Sequence, residues 1–287
     1  MDQLMKILTC ALSLSLAVSI AYAGDLVTVP INFDQGVPVV NLQFNDKTFP
    51  FVLDLGSAAT FHLSKTAAKQ IAGLMYTGKK FRSMDLTGKV QESEELTIRD
   101  LTVNGLAFGK INGVTLVPWG MNLGQYQGLD PDVSVLGLGF FDSKKVVFDF
   151  AAKTMTLADE DAAAIMKRIK GWTIVPYDRS AEGLTLTFKS DKASYRMILE
   201  APSTISLVKS KLAEARDDVE KCDMDLGPGR SCRTISVSFP GGRPLKPVLM
   251  DLPETFSADG LVGREFFEQY AVFLDAKNRS IRIKMNP

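Results

Sequence analysis

The sequence predicts an all-β protein built from two similar halves, with only a few short helices. Three observations predict it. Apolar residues fall mostly in short runs bounded by turn residues, helical periodicity is confined to three brief stretches, and two sets of segments recur in the same order along the chain. The run 37–44 alternates towards its end, Asn45-Asp46-Lys47 supplies a polar turn, and 49–53 is a second apolar run, so a hairpin is expected there. Further strand and turn patterns fall at 96–98, at 101–103 before Asn104-Gly105, and at 234–239 before Pro240-Gly241-Gly242. Helices are expected at 64–72, 159–170 and 207–216. The second has acids at its start and bases at its end, which suits the helix dipole.

The internal repeat organises these elements. Val135-Leu136-Gly137-Leu138-Gly139-Phe140-Phe141, continuing to Val146-Val147-Phe148-Asp149, matches Leu261-Val262-Gly263-Arg264-Glu265-Phe266-Phe267, continuing to Val272-Phe273-Leu274-Asp275, without a gap at an offset of 126. Both copies end in a basic turn, at Lys153 and at Arg279. Earlier in each half, Phe51-Val52-Leu53-Asp54-Leu55-Gly56-Ser57 faces Met197-Ile198-Leu199-Glu200-Ala201-Pro202-Ser203 at an offset of 146. One match could be chance; two in the same order indicate duplication.

Composition narrows the chemistry. The 287 residues carry 33 Lys and Arg against 33 Asp and Glu, with one His and three Cys. Zero net charge gives no electrostatic reason to hold nucleic acid or an anionic membrane surface. One histidine, His62, cannot furnish a His-rich metal cluster, so no metal site and no cofactor are expected, and carboxylate is the plentiful catalytic group. Residues 1–23 read as a signal peptide: Lys6 precedes an apolar run, and the stretch ends in the small-x-small pattern Ala21-Tyr22-Ala23. The expected product is an exported monomer, periplasmic or secreted, with no membrane span after leader removal. Its organisation would be a first lobe over 24–158, a connecting helix over 159–170 and a second lobe over 171–287. Cys222 and Cys232, the two cysteines left in an oxidising compartment, should form a disulfide across the turn Gly227-Pro228-Gly229.

The stretch apolar-Asp-Leu-Gly-Ser at Leu53 to Ser57, followed by a strand, a helix, a hairpin and then Val135-Leu136-Gly137, resembles one lobe of the pepsin-like and retropepsin-like aspartic peptidases. The second half is similar to the other lobe, so the resemblance covers nearly the whole chain after the leader. It implies the bilobal pepsin-like aspartic peptidase (acid protease) fold, with one acid from each lobe meeting at a cleft. Asp54 and Glu200 are the candidates. Two close carboxyls cannot both ionise cheaply, so one proton is shared; the ionised member can activate a water while the protonated one donates to a substrate carbonyl. In that family, Gly56 would allow the loops to approach, and Ser57 and Ser203 would hydrogen-bond the carboxylates.

The loops also depart from the pattern. Leu55 and Ala201 lack the hydroxyl that would bond the opposite loop, Pro202 stands where a glycine belongs, and Glu200 is one methylene longer than aspartate. A displacement of about an ångström costs positioning catalysis roughly a hundredfold. Two functions therefore stay open. One is a catalytically impaired protein that binds a peptide or protein in the inherited cleft; the other is an active endopeptidase using an Asp54/Glu200 pair at acidic pH. The separation of the two carboxyls discriminates them, since a gap beyond about 6 Å would end hydrolysis. A hairpin with its turn at Asp85-Leu86-Thr87-Gly88 is placed to act as a flap, with Thr87 and Gly88 at its tip. His62, in the apolar stretch after the aspartate loop, reads as a satisfied structural histidine. Trp119 falls among the extra residues of the first half, and the glycine-punctuated segment 120–128 reads as a mobile loop near the cleft, either a ligand- or partner-binding loop or a plain connection.

Overall fold

The computed structural model describes residues 26–33, 36–84, 88–117, 133–180, 182–213, 216–227 and 231–287. It is an all-β bilobal structure of pepsin-like architecture, with a few short helices. The strand Lys47–Asp54 pairs antiparallel with Val39–Phe44, closing the expected hairpin at Asn45, and parallel with Ser134–Gly137, setting Leu53 against Leu136 and Asp54 against Gly137. Phe49, Phe51 and Leu53 enter the core, and strand alternation turns Val52 and Asp54 to the opposite face. The second half repeats this arrangement. Ser194–Leu199 pairs antiparallel with Gly183–Lys189 and parallel with Gly260–Val262, setting Leu199 against Val262.

Described strands form a 13-stranded and an 8-stranded sheet, and the larger one is shared between the halves. Tyr270–Asp275 lies antiparallel to Lys145–Asp149, with Val272, Phe273 and Leu274 opposite Phe148, Val147 and Val146. Val147 and Phe273 are equivalent positions in the repeat, so the pairing is centred on the local twofold relation between the copies. Other duplicated residues share their geometry too. Phe140 and Phe141 meet edge to face at 5.3 Å, Phe266 and Phe267 at 5.5 Å, and all four are buried. Lys153 and Arg279 both adopt left-handed backbone, with φ of 53° and 47°.

The expected helices are shorter or absent. Of 64–72, only Lys65–Ala68 is helical, capped by the Ser64 hydroxyl. Residues 207–216 begin instead as the strand Leu207–Lys209, because Leu207 and Val208 are fully buried and pair with Val248 and Leu249; a single turn of 3-10 helix follows at Ser210–Leu212. The helix expected at 159–170 is Ala163–Arg168 and has no acid in its first turn. Asp159 and Glu160 lie outside it and bind Lys144 and Lys277 rather than the helix dipole. Runs 96–98 and 101–103 belong to one strand, Val90–Val103, bulged near Asp100, and Asn104-Gly105 makes the turn into Leu106–Thr115 with both residues at positive φ. Run 234–239 yields the short strand Arg233–Thr234 and two isolated bridges, Val237 to Leu245 and Ser238 to Lys189. Cys222 and Cys232 are disulfide-bonded. No helix among the described residues is long and apolar enough to cross a membrane.

Candidate functional site

Asp54 ends the strand Lys47–Asp54, and Glu200 follows directly on Ser194–Leu199, its N–H bonded to the Val262 carbonyl at 2.9 Å. Two backbone hydrogen bonds recur at equivalent positions of the two loops. Ser57 N–H donates to the Asp54 carbonyl and Ser203 N–H to the Glu200 carbonyl, at 3.4 and 3.1 Å. The Ser57 and Ser203 carbonyls accept from Leu138 and Arg264, equivalent residues of the repeat, both at 2.7 Å. The glycines that close the two loops, Gly137 and Gly263, lie where an added Cβ would stand 2.2 Å from the Ala59 carbonyl oxygen and 2.5 Å from that of Ser203.

This scaffold brings the two predicted acids together. Asp54 and Glu200 share a side-chain hydrogen bond, so the carboxyls are far inside the separation that would end hydrolysis. Asp54 is buried, and Oδ1 accepts from the Gly56 N–H at 2.9 Å. Glu200 as a residue is half-buried, but its carboxyl is packed against Asp54 and Gly56. Burial pushes Asp54 up to about 6, opposed by hydrogen bonds from Glu200 and from the Gly56 and Ser57 amides. Burial, then the Asp54 charge, then the proton it donates to Asp54 raise Glu200 well above the usual carboxylate range. The pair holds one proton, on Glu200, after Asp54 has ionised.

The supporting residues do not do what the resemblance implied. Ser57 Oγ is bonded to His62 Nε2 at 2.9 Å, and the contacts that act on Asp54 include the Ser57 backbone but not its hydroxyl. Ser203 Oγ donates to the Ile205 carbonyl at 2.7 Å rather than to Glu200. Each hydroxyl is drawn away by a partner at hydrogen-bonding distance on its own loop or the strand that follows. Leu55 and Ala201 are buried at 1% exposure; Leu55 is tied across the halves only through its carbonyl, which accepts from Leu184 N–H at 3.4 Å. His62, buried and bonded to Ser57, is held down to about 4 by burial and stays neutral over the ordinary range. Its link to the aspartate loop was not legible in the sequence, although the five-residue spacing from Ser57 was a usable signal.

At the flap, Thr87 lies outside the described residues. Gly88, at φ +84°, lies where an added Cβ would stand 3.7 Å from Pro253 Cγ, which brings the hairpin formed by Leu74–Met84 and Val90–Val103 close to the second half. Trp119 and segment 120–128 also lie outside the described residues. Among the described residues, no cluster of three His, Cys, Asp or Glu could hold a metal ion.

The fold and the acid pair together define a protein of pepsin-like architecture. No family model matches the chain, and no curated protein matches it. Solved structures do. The basic 7S globulin of soybean is similar at a TM-score of 0.56 and 10% identity, over 91% of this chain and 95% of that one. Conglutin gamma, a basic 7S globulin from lupine seeds, gives the same TM-score, identity and coverage. These likenesses correct the expected family. What is shared is the fold, the similar structures are named as globulins rather than peptidases, and nothing supports a retropepsin. The physical reason is in the loops: their backbone order survives, while the hydroxyls and the second glycine that peptidase chemistry asks for do not.

Proposed function

We propose that this chain is an exported, catalytically impaired protein of peptidase-like fold that binds a peptide or protein where its two halves meet at Asp54 and Glu200. One observation carries the reading: both loop serines are turned away from the acids, Ser57 to His62 and Ser203 to the Ile205 carbonyl. A carboxylate pair that is to orient a water needs fixed donors around it, and positioning lost by about an ångström costs roughly a hundredfold in rate. Binding makes a weaker demand, because a groove with two acids can hold an extended chain by hydrogen bonds and charge without aligning a nucleophile. The leader-like residues 1–23 and the Cys222–Cys232 disulfide support export.

The test incubates the purified chain and Asp54→Asn with a denatured protein between pH 4 and 7, and measures binding of an extended-peptide library to both. The expected result is no Asp54-dependent cleavage, with saturable peptide binding that weakens in Asp54→Asn. Pepstatin-sensitive cleavage that disappears in Asp54→Asn would overturn the reading. A second reading, an aspartic-type endopeptidase working with an Asp/Glu pair, is favoured by a different observation: the carboxyls touch and share a proton, the state from which acid-base hydrolysis starts.

A further inference from the structure

His62 breaks the internal symmetry of the molecule beside the acid pair. In the first half it stands opposite Val135, where Phe61–Leu63 runs against Ser134–Gly137. In the second half the residue opposite the equivalent Leu261 is Leu207, the intervening loop being one residue shorter. Leu207 is 0% exposed and His62 5%, so a leucine fills in one half the place that an imidazole fills in the other. Burying an imidazole where an aliphatic side chain suffices in the other half costs desolvation that its hydrogen bonds must offset. Among what the imidazole adds is the 2.9 Å hydrogen bond to Ser57 Oγ, which a leucine cannot make.

Ser57 is well placed for that bond to matter. Its own N–H, bonded to the Asp54 carbonyl at 3.4 Å, is also near enough to the Asp54 carboxyl to lower its pKa, so its side chain starts in the immediate neighbourhood of the acid. Whichever partner donates, the bond to Nε2 fixes the Ser57 oxygen against the imidazole ring.

We propose that His62 is a positioning residue that holds the Ser57 hydroxyl off the Asp54–Glu200 pair. With the hydroxyl withheld, Asp54 is served by two amides and by the Glu200 proton, and the pair keeps its shared proton to higher pH than it would with a further O–H donor. Burial is the cause that acts on His62 itself. The second-half turn seated on this loop presents Gly183 and Leu184 to Leu55 and Gly56, and the carboxylate on that turn, Glu182, is engaged by Ser257. The inference takes Asp54 and Glu200 as the functional pair, but concerns their protonation rather than any ligand.

Carboxyl 13C NMR of the full chain, with the Asp54 signal assigned through Asp54→Asn and no peptide present, tests it independently of binding. His62→Leu should lower the Asp54 midpoint by about one pH unit, the size of one added hydrogen bond to a carboxylate. Adding Ser57→Ala to His62→Leu should return the midpoint to the parent value, and His62→Gln, which can still hold Ser57, should keep it there. An unchanged or raised midpoint in His62→Leu, or a fall that persists in the double variant, overturns the proposal. Should His62→Leu fail to fold, Ser57→Ala alone decides: an unmoved midpoint supports the proposal, and a rise of half a unit or more shows that the hydroxyl already served Asp54.

Discussion

Glu200 rests on Gly56 so closely that a Cβ at residue 56 would stand 1.6 Å from Glu200 Oε2 and 2.8 Å from its Cδ. The first-half loop thus provides the floor on which the second-half acid reaches Asp54, and the longer glutamate arm occupies that floor. Because the obstructing atoms end a flexible side chain, Gly56→Ala should fold and push Glu200 aside, at a cost of roughly 1–2 kcal/mol for the lost buried contact. The check is coupling between the acids. In the parent, Asp54→Asn should lower the Glu200 midpoint, because the Asp54 charge helps to raise it; in a Gly56→Ala background the same change should barely move it.

Gly137 and Gly263 should behave differently from Gly56, since what an added Cβ meets there is backbone. At 137 it would lie 2.2 Å from the Ala59 carbonyl oxygen and 2.9 Å from that of Ser57; at 263, 2.5 Å from Ser203 and 3.0 Å from Ile205. Carbonyls held in a tight loop cannot swing away. Gly137→Ala and Gly263→Ala should each cost about 3 kcal/mol in urea unfolding, more than Gly56→Ala does.

The pH dependence of stability follows from two opposing signs. Asp54 titrates at about 6 in the folded chain, above its ordinary 3.8, so its contribution is complete below about 4 and is lost as pH rises through 6. Glu200, raised further, extends that loss upward. His62 titrates at about 4, below its ordinary 6.5, so its contribution is complete above 6.5 and is lost as pH falls towards 4. The terms offset between 4 and 6.5, and above 6.5 only the acid pair still titrates among these three. The thermal midpoint of the parent should therefore decline above pH 6.5. In Asp54→Asn/Glu200→Gln it should instead climb from 4 to 6.5 and then level.

The Cys222–Cys232 bridge closes a short loop, with ten residues of sequence separation, beside a small apolar cluster that includes Ile198, Leu207 and Phe256. Reduction, or the Cys222→Ser/Cys232→Ser double change, should lower the unfolding free energy by about 3 kcal/mol while leaving the carboxyl titrations in place. Denaturant melts with and without reductant measure the first part, and NMR the second.

Much of this architecture was legible because duplication leaves a register that can be read residue against residue. The match of Val135-Leu136-Gly137 to Leu261-Val262-Gly263 located two strands, and Asp54 over Glu200 located the pair that the structure brings into contact. Where the reading failed, long-range pairing outweighed local pattern. Leu207 and Val208 sit in a helix-like stretch, yet they are strand because Val248 and Leu249 lie beside them. The acids at 159–161 looked like a helix start, but Lys144 claims Asp159 and Lys277 claims Glu160 from elsewhere in the chain. The destination of the Ser57 hydroxyl was hidden for a related reason: family pattern points it at the carboxylate, and the seating of His62 on the strand that follows supplies a competing hydrogen-bond partner.

Val147 opposite Phe273 has a consequence for how the molecule comes into being. Among the described strands, Lys145–Asp149 gains its second neighbour only from Tyr270–Asp275, and Thr173–Val175 is paired only through Ser280–Met285. Until those late residues leave the ribosome, a row of backbone donors and acceptors in the first half stands uncovered, ready to template wrong partners. The pairing thus makes completion of the first-half sheet wait on residues synthesised more than a hundred positions later.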